Sequence, residues 1–156
     1  MADMDLKEVA QCSCLRLRRI TRRTTRIYDH LLGPEGLTVN QFGLLARLYG
    51  ASLRGESLSI GSLAERVGMD STTLNRSLKP LEKHGFIANG RDLTDRRVRA
   101  VLITSAGIEK FRHAVPLWRK AQAQIDAALG VDLSVALNGL LELSYEKLSA
   151  SRELMA

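Results

Sequence analysis

The chain has 156 residues, enough for one domain or a domain with an appendage and enough to bury a core. With 45% hydrophobic, 26% charged and only 4% aromatic residues, it has the make-up of a soluble globular protein whose core is Leu, Ile, Val and Ala. That favours helices over a β-sandwich, while a net charge of +6 points to an anionic partner, nucleic acid being the usual one.

No apolar run is long enough to span a bilayer, and the acidic stretch Met1–Glu8 lacks the apolar core of a signal peptide, so no membrane partner is expected. Two closely spaced cysteines, Cys12 and Cys14, make no disulfide framework, and a reducing cytoplasm is the expected compartment. Residues 11–28 hold six arginines and no acid, whereas residues 104–156 balance at six basic and six acidic. The basic charge is therefore localised.

In chain order, Leu6, Ala10, Ser13, Leu17, Ile20, Thr24, Ile27 and Leu31 keep a 4-3-4-3 spacing, which predicts one long first helix stopped by Gly33-Pro34. Its apolar seam is too long for a local neighbour alone. Thr38-Val39-Asn40-Gln41 reads as a capping box that opens a second helix through Phe42, Leu45 and Leu48 to about Gly50. A link at Ala51–Ser57 follows, then a very short strand at Leu58-Ser59-Ile60 and a short third helix, Ser62–Val67, stopped at Gly68.

Asp70 is a good N-cap for a fourth helix from Ser71 to about His84, with Leu74, Leu78 and Leu81 facing inward and Pro80 expected to kink it. Phe86-Ile87-Ala88 and Val98–Ile103 predict a hairpin around the polar turn Asp92–Asp95. A fifth helix capped by Thr104 or Ser105 carries Ile108, Phe111, Val115, Trp118, Ile125 and Leu129, with a kink expected at Pro116. A sixth, capped by Asp132, carries Leu133, Leu137, Leu140, Leu141, Tyr145 and Leu148. The predicted fold is mainly α with a small β-hairpin wing, in three segments: residues 1–36 with the first helix, 37–104 with the next three helices and the hairpin, and 105–156 with the last two helices.

The third and fourth helices, joined by Gly68-Met69-Asp70, have helix-turn-helix spacing, and Gly68 supplies the turn residue free of Cβ strain. The solvent side of the second of the pair offers Ser71, Thr72, Thr73, Asn75, Arg76 and Lys79, hydrogen-bonding and basic groups suited to a major groove. The plain alternative is an ordinary solvated helix face. Beside it, Arg91, Arg96, Arg97 and Arg99 surround the hairpin turn, where a basic loop can reach phosphates and a minor groove. Asp92 and Asp95 either hold these arginines or mark an exposed turn.

Leu63-Ala64-Glu65-Arg66-Val67-Gly68, Ser71-Thr72-Thr73-Leu74-Asn75-Arg76, Leu81-Glu82-Lys83-His84-Gly85-Phe86-Ile87 and Asp95-Arg96-Arg97 together resemble the signature of MarR-type transcriptional regulators. The resemblance runs from Leu37-Thr38-Val39-Asn40-Gln41-Phe42 to Leu117-Trp118. It implies a triangular homodimer built on the first and last two helices, with a winged lobe on each side. It also implies recognition contacts from Ser71–Thr73, Asn75 and Arg76, a minor-groove role for Arg96, and Asp95 as the acid bracing the wing. Pro80 departs from the pattern, since such recognition helices usually continue unbroken.

The expected function is a sequence-specific regulator, read as a repressor, that binds duplex DNA as a homodimer at a pseudo-palindrome. A protein-binding or RNA-binding winged helix is the alternative; an A-form major groove is too narrow for a helix, which favours DNA. The chain offers no nucleophile–base pair, phosphate loop or metal cluster, so neither an enzyme nor a cofactor is expected. The arginines at 16, 18, 19, 22, 23 and 26 are either a solvated surface, a DNA-backbone contact or an anionic effector site. Cys12 and Cys14, with Arg16 and Arg19 nearby, are either small buried residues or the site of a switch, worked by oxidation or by a small anionic or aromatic effector. Two residues apart on a helix the thiols point about 200° apart, so an intrachain bridge would need unwinding.

Overall fold

A computed structural model describes residues 6–92 and 97–151. It contains α1 (Leu6–Ala10), α2 (Ser13–Leu32), a single 3-10 turn (Gly33–Glu35), α3 (Val39–Leu53), β1 (Leu58–Ser59), α4 (Ile60–Val67), α5 (Ser71–Lys83), β2 (Ile87–Arg91), β3 (Arg99–Ile103), α6 (Ser105–Leu129) and α7 (Val131–Ala150). The three strands form an antiparallel sheet in the order β1-β3-β2. The chain divides into two compact units, Met1–Trp118 and Arg119–Ala156.

The core of the first unit is aliphatic, as the composition predicts. Leu32, Leu45, Leu63 and Leu74 are completely buried, with Leu44, Leu48, Leu58, Leu81, Ile87 and Val101 packed among them. Some of the few aromatic residues cluster: the Phe42 ring stacks 5.1 Å from Phe111 and 5.8 Å from Trp118, tying α3 to the first half of α6. Asp29 near the end of α2 accepts the Val39 N–H at 2.7 Å, so the exit of α2 and the start of α3 are fixed to each other. The Thr38–Gln41 capping box is present in full.

Three expectations change. The first helix is not continuous, because it breaks at Gln11-Cys12 and restarts with Cys12 in the cap position at φ −55°, ψ 116°. The second helix runs past Gly50 to Leu53, because Ala51 is buried in the core and holds another turn in place. The sixth helix starts at Val131, with Gly130 at φ +79° in the cap position and Asp132 inside the first turn. The two internal prolines lie within continuous helices, α5 running through Pro80 and α6 through Pro116. Pro80 lies in the last turn of α5, where buried Leu78 and Leu81 anchor the helix and its carbonyl still receives the His84 N–H at 3.1 Å.

In the second unit, Ser134 Oγ and Gln122 Nε2 both donate to Asp126 Oδ1, bonding α7 to the end of α6. Helix α7 leaves Val131, Leu133, Val135, Leu140, Leu143, Tyr145 and Leu148 exposed. No single helix among the described residues is long and apolar enough to cross a membrane.

Candidate nucleic-acid interface

The helix-turn-helix is built by two caps and one glycine. Ser59 Oγ accepts the Ser62 N–H at 3.0 Å and starts α4, two residues before the predicted boundary. Gly68 ends it at φ +65°, a left-handed conformation that costs glycine nothing, with the N–H groups of Gly68 and Met69 returning to the carbonyls of Glu65 and Ala64. Asp70 then caps α5. Its carboxylate accepts the Thr73 hydroxyl at 2.6 Å and the Thr73 N–H at 2.9 Å, and these bonds hold it below the usual carboxylate range.

Helix α5 buries Leu74, Leu78 and Leu81 and exposes Ser71, Thr72, Thr73, Asn75, Arg76 and Lys79. All six predicted recognition residues are thus on the open side. They are not equivalent, however. The Thr73 hydroxyl hydrogen is committed to Asp70, leaving that oxygen only as an acceptor, whereas among the described residues no such bond engages Asn75 or Arg76.

The wing is the β2–β3 hairpin, registered from Ile87↔Ile103 to Arg91↔Arg99 and extended by Asp92 N–H to Val98 O at 2.9 Å. Arg91, Arg97 and Arg99 are exposed around it, while Asp95 and Arg96 lie outside the described residues. Sequence reasoning missed what holds the hairpin. Asp92 Oδ2 accepts the Ser57 hydroxyl at 2.8 Å, and the Asn89 side-chain amide donates to Glu82 Oε1 on α5. At the root, Thr104 Oγ1 donates to Gly85 O at 2.6 Å and accepts the Gly107 N–H, capping α6. A Cβ at Gly107 would sit 2.0 Å from Phe86 O, so only glycine allows this approach.

The predicted effector residues are less assembled. Cys12 is half-buried and Cys14 exposed. Arg16 donates its backbone N–H to Cys12 O at 3.1 Å and its Nε to Ala10 O at 3.3 Å, bridging the helix break. All six α2 arginines, Arg19 included, are exposed, and none forms an ion pair among the described residues. A cavity of 390 Å³ lies elsewhere, lined by Val39, Phe42, Arg47, Val67, Met69 and Trp118 among others, and sequence reasoning did not find it. Among the described residues no group of three His, Cys, Asp or Glu side chains could hold a metal.

The sequence model of the MarR family matches residues 37–98, which include α3, the helix-turn-helix and β2 and stop just before β3. The M. tuberculosis transcriptional regulator MosR, solved in complex with DNA, superposes with a TM-score of 0.74 at 31% identity, covering 90% of this chain and 99% of that one. The chain belongs to the MarR family. Among curated relatives, the HTH-type transcriptional regulator SarZ of Staphylococcus haemolyticus is 30% identical over 95 residues, 61% of this chain and 62% of its own length. The organic hydroperoxide resistance transcriptional regulator of Bacillus subtilis is 30% identical over 94 residues, 60% of this chain and 61% of its own. The chain thus spans about three-fifths of the length of these relatives. It is a transcriptional regulator of the MarR type.

Proposed function

We propose that the chain is a repressor that binds a pseudo-palindromic operator as a homodimer in the cytoplasm. The observation that carries this reading is the two-sided build of α5: three buried leucines on one side, and an open row of hydroxyls, Asn75, Arg76 and Lys79 on the other. Such a helix is fixed to its own lobe while its first turns remain free for base edges. Arg91, Arg96, Arg97 and Arg99 on the wing supply the phosphate and minor-groove contacts.

A second copy of the chain is the occupant that suits α7. Its exposed Leu133, Leu140, Tyr145 and Leu148 make an apolar surface that a monomer has no reason to keep, and a two-fold dimer covers the same patch on both subunits. Release from DNA is assigned to one of two inputs. The first is oxidation of Cys12 and Cys14, in keeping with the helix break at Cys12 and with a relative named for hydroperoxide resistance. The second is a small aromatic or anionic molecule in the Phe42–Trp118 cavity, whose lining includes one cation, Arg47.

Electrophoretic mobility shift with duplex DNA from the chain's own upstream region, against scrambled duplex and single-stranded RNA, tests the reading. Preference for the first supports it; equal or better binding of RNA overturns it. Repeating the shift with peroxide on wild type and on Cys12→Ser/Cys14→Ser, and with aromatic acids on wild type, identifies the input.

A further inference from the structure

The wing is held by side-chain hydrogen bonds to α5 and to the segment before β1. On α5, Asn75, Lys79 and Glu82 follow one another at i, i+4 and i+7, so they share a single stripe of the helix. All three line a groove of 260 Å³ between α5 and the hairpin, which Asn89 and Arg99 line from the wing side. Glu82 ends the stripe. A carboxylate beside three predicted DNA-contacting groups would repel phosphates unless it had a task within the protein. That task is visible: Glu82 Oε1 accepts the side-chain amide of Asn89, at the middle of β2.

Asn89 is well placed as a lever. Strand residues alternate faces, so Ile87, Asn89 and Arg91 share one side of β2. Ile87 is buried in the core and Arg91 is exposed at the far end, next to the turn. Asn89 therefore lies between the hairpin's buried root and its basic tip. On the other side, Ser57 donates its hydroxyl to Asp92, one residue past Arg91 and 35 residues from its partner in sequence. A two-stranded hairpin is marginal by itself, and β1 adds only two residues of pairing to its outer side. The side-chain bonds fix what the backbone ladder leaves loose.

We infer that Glu82 and Asn89, with Ser57 and Asp92 on the opposite side, are positioning residues that set the angle of the wing to the recognition helix and so determine whether the wing arginines reach DNA. The inference rests on the DNA-binding reading above. It assigns the four residues no contact with bases or phosphates.

The test is a reciprocal exchange in the full-length protein. Asn89→Asp sets two carboxylates against each other; adding Glu82→Gln restores a hydrogen bond of opposite polarity at the wild-type net charge. Operator complexes are probed by hydroxyl-radical cleavage in the flanking minor grooves, which reports the wing, and by guanine N7 methylation in the major groove, which reports α5. Asn89→Asp and the uncharged Asn89→Ala are expected to lose flank protection and about tenfold in affinity while keeping the N7 pattern. The exchange variant is expected to recover flank protection and to bind within about twofold of wild type. Ser57→Ala is expected to lose flank protection in the same way. Intact flank protection in Asn89→Ala, or an exchange variant that folds but does not recover, overturns the inference. Absence of flank protection in wild type overturns the wing docking itself, which is a different result.

Discussion

The Lys110 ammonium on α6 lies 2.9 Å from the Glu35 carboxylate, 75 residues away at the exit of α2, and 5.5 Å from the centroid of the Phe86 ring at the root of the wing. One side chain therefore joins the end of the first long helix, the start of α6 and the base of the wing hairpin. Both partners of the ion pair are about three-quarters shielded from solvent, at 25% and 24% side-chain exposure, so the pair is worth more than a free surface one. Lys110→Met keeps the apolar stem and removes the charge. Urea denaturation is expected to show a loss of about 1–2 kcal/mol, and Glu35→Gln a smaller one because its backbone carbonyl still accepts from Lys110 at 3.3 Å. Unchanged stability in both variants would mean that the pair is merely a surface contact.

Gly107 supplies a sharper test of the packing. Its missing Cβ makes room for Phe86 O and for Ile103 Cγ1, at 2.0 and 2.9 Å from where a methyl group would lie. Because the nearer atom is backbone, it cannot rotate away. Gly107→Ala is expected to destabilise the protein by at least about 1–3 kcal/mol despite alanine's better helix propensity. A wild-type denaturation midpoint in that variant would contradict the geometry.

Asp70 gives a pH dependence of known sign. The Thr73 hydroxyl and N–H hold its carboxyl below the ordinary range in the folded chain. A depressed folded value means that the bond contributes stability above the unfolded value, about pH 4, and that this is lost as pH falls through the folded one. Asp70→Asn retains a side-chain oxygen for the Thr73 N–H and cannot titrate. The stability difference between wild type and Asp70→Asn should therefore shrink as pH is lowered through the acid range, measured by denaturation at each pH. A difference that stays flat would show that the carboxylate has no preferred ionisation in the fold.

Much of the fold was legible because its signals are local. The Thr38–Gln41 capping box, the Asp70 cap, the Gly68 turn and the β-leaning run Val98–Ile103 each operate within about six residues, and each appears close to where the sequence places it. The misjudged boundaries depend on burial or on a break without a marker. Nothing in Gln11-Cys12 resembles a helix stop, and the seam spacing carries straight across it. Gly50 resembles a stop, but the burial of Ala51 overrides a glycine cost of about 1 kcal/mol. In the site, the α5 residues were readable from helical periodicity, whereas Ser57–Asp92 and Glu82–Asn89 pair across the fold with no spacing to reveal them.

The roles of α5 and the wing should separate in binding measurements. Asn75→Ala or Arg76→Ala is expected to cost about 1–3 kcal/mol on the preferred sequence and little on others, flattening the discrimination between them. Arg97→Ala or Arg96→Ala should weaken binding to all sequences alike and reduce the slope of log affinity against log salt by about 0.9 for each phosphate that is no longer neutralised. Fluorescence anisotropy over a salt series with two duplexes distinguishes the cases. Identical behaviour of all four variants would mean that the recognition surface is elsewhere.

The central claim is that two copies of α5, related by a two-fold axis, read duplex DNA together. Selection of bound sequences from a random duplex pool tests it most directly, run with wild type and with Leu133→Lys/Leu140→Lys, which places charge on the apolar side of α7. Wild type should enrich an inverted repeat with half-sites about one helical turn, or 10 bp, apart, and the α7 variant should enrich none. An enriched motif without two-fold symmetry, or the same inverted repeat recovered by a monomeric α7 variant, would contradict it.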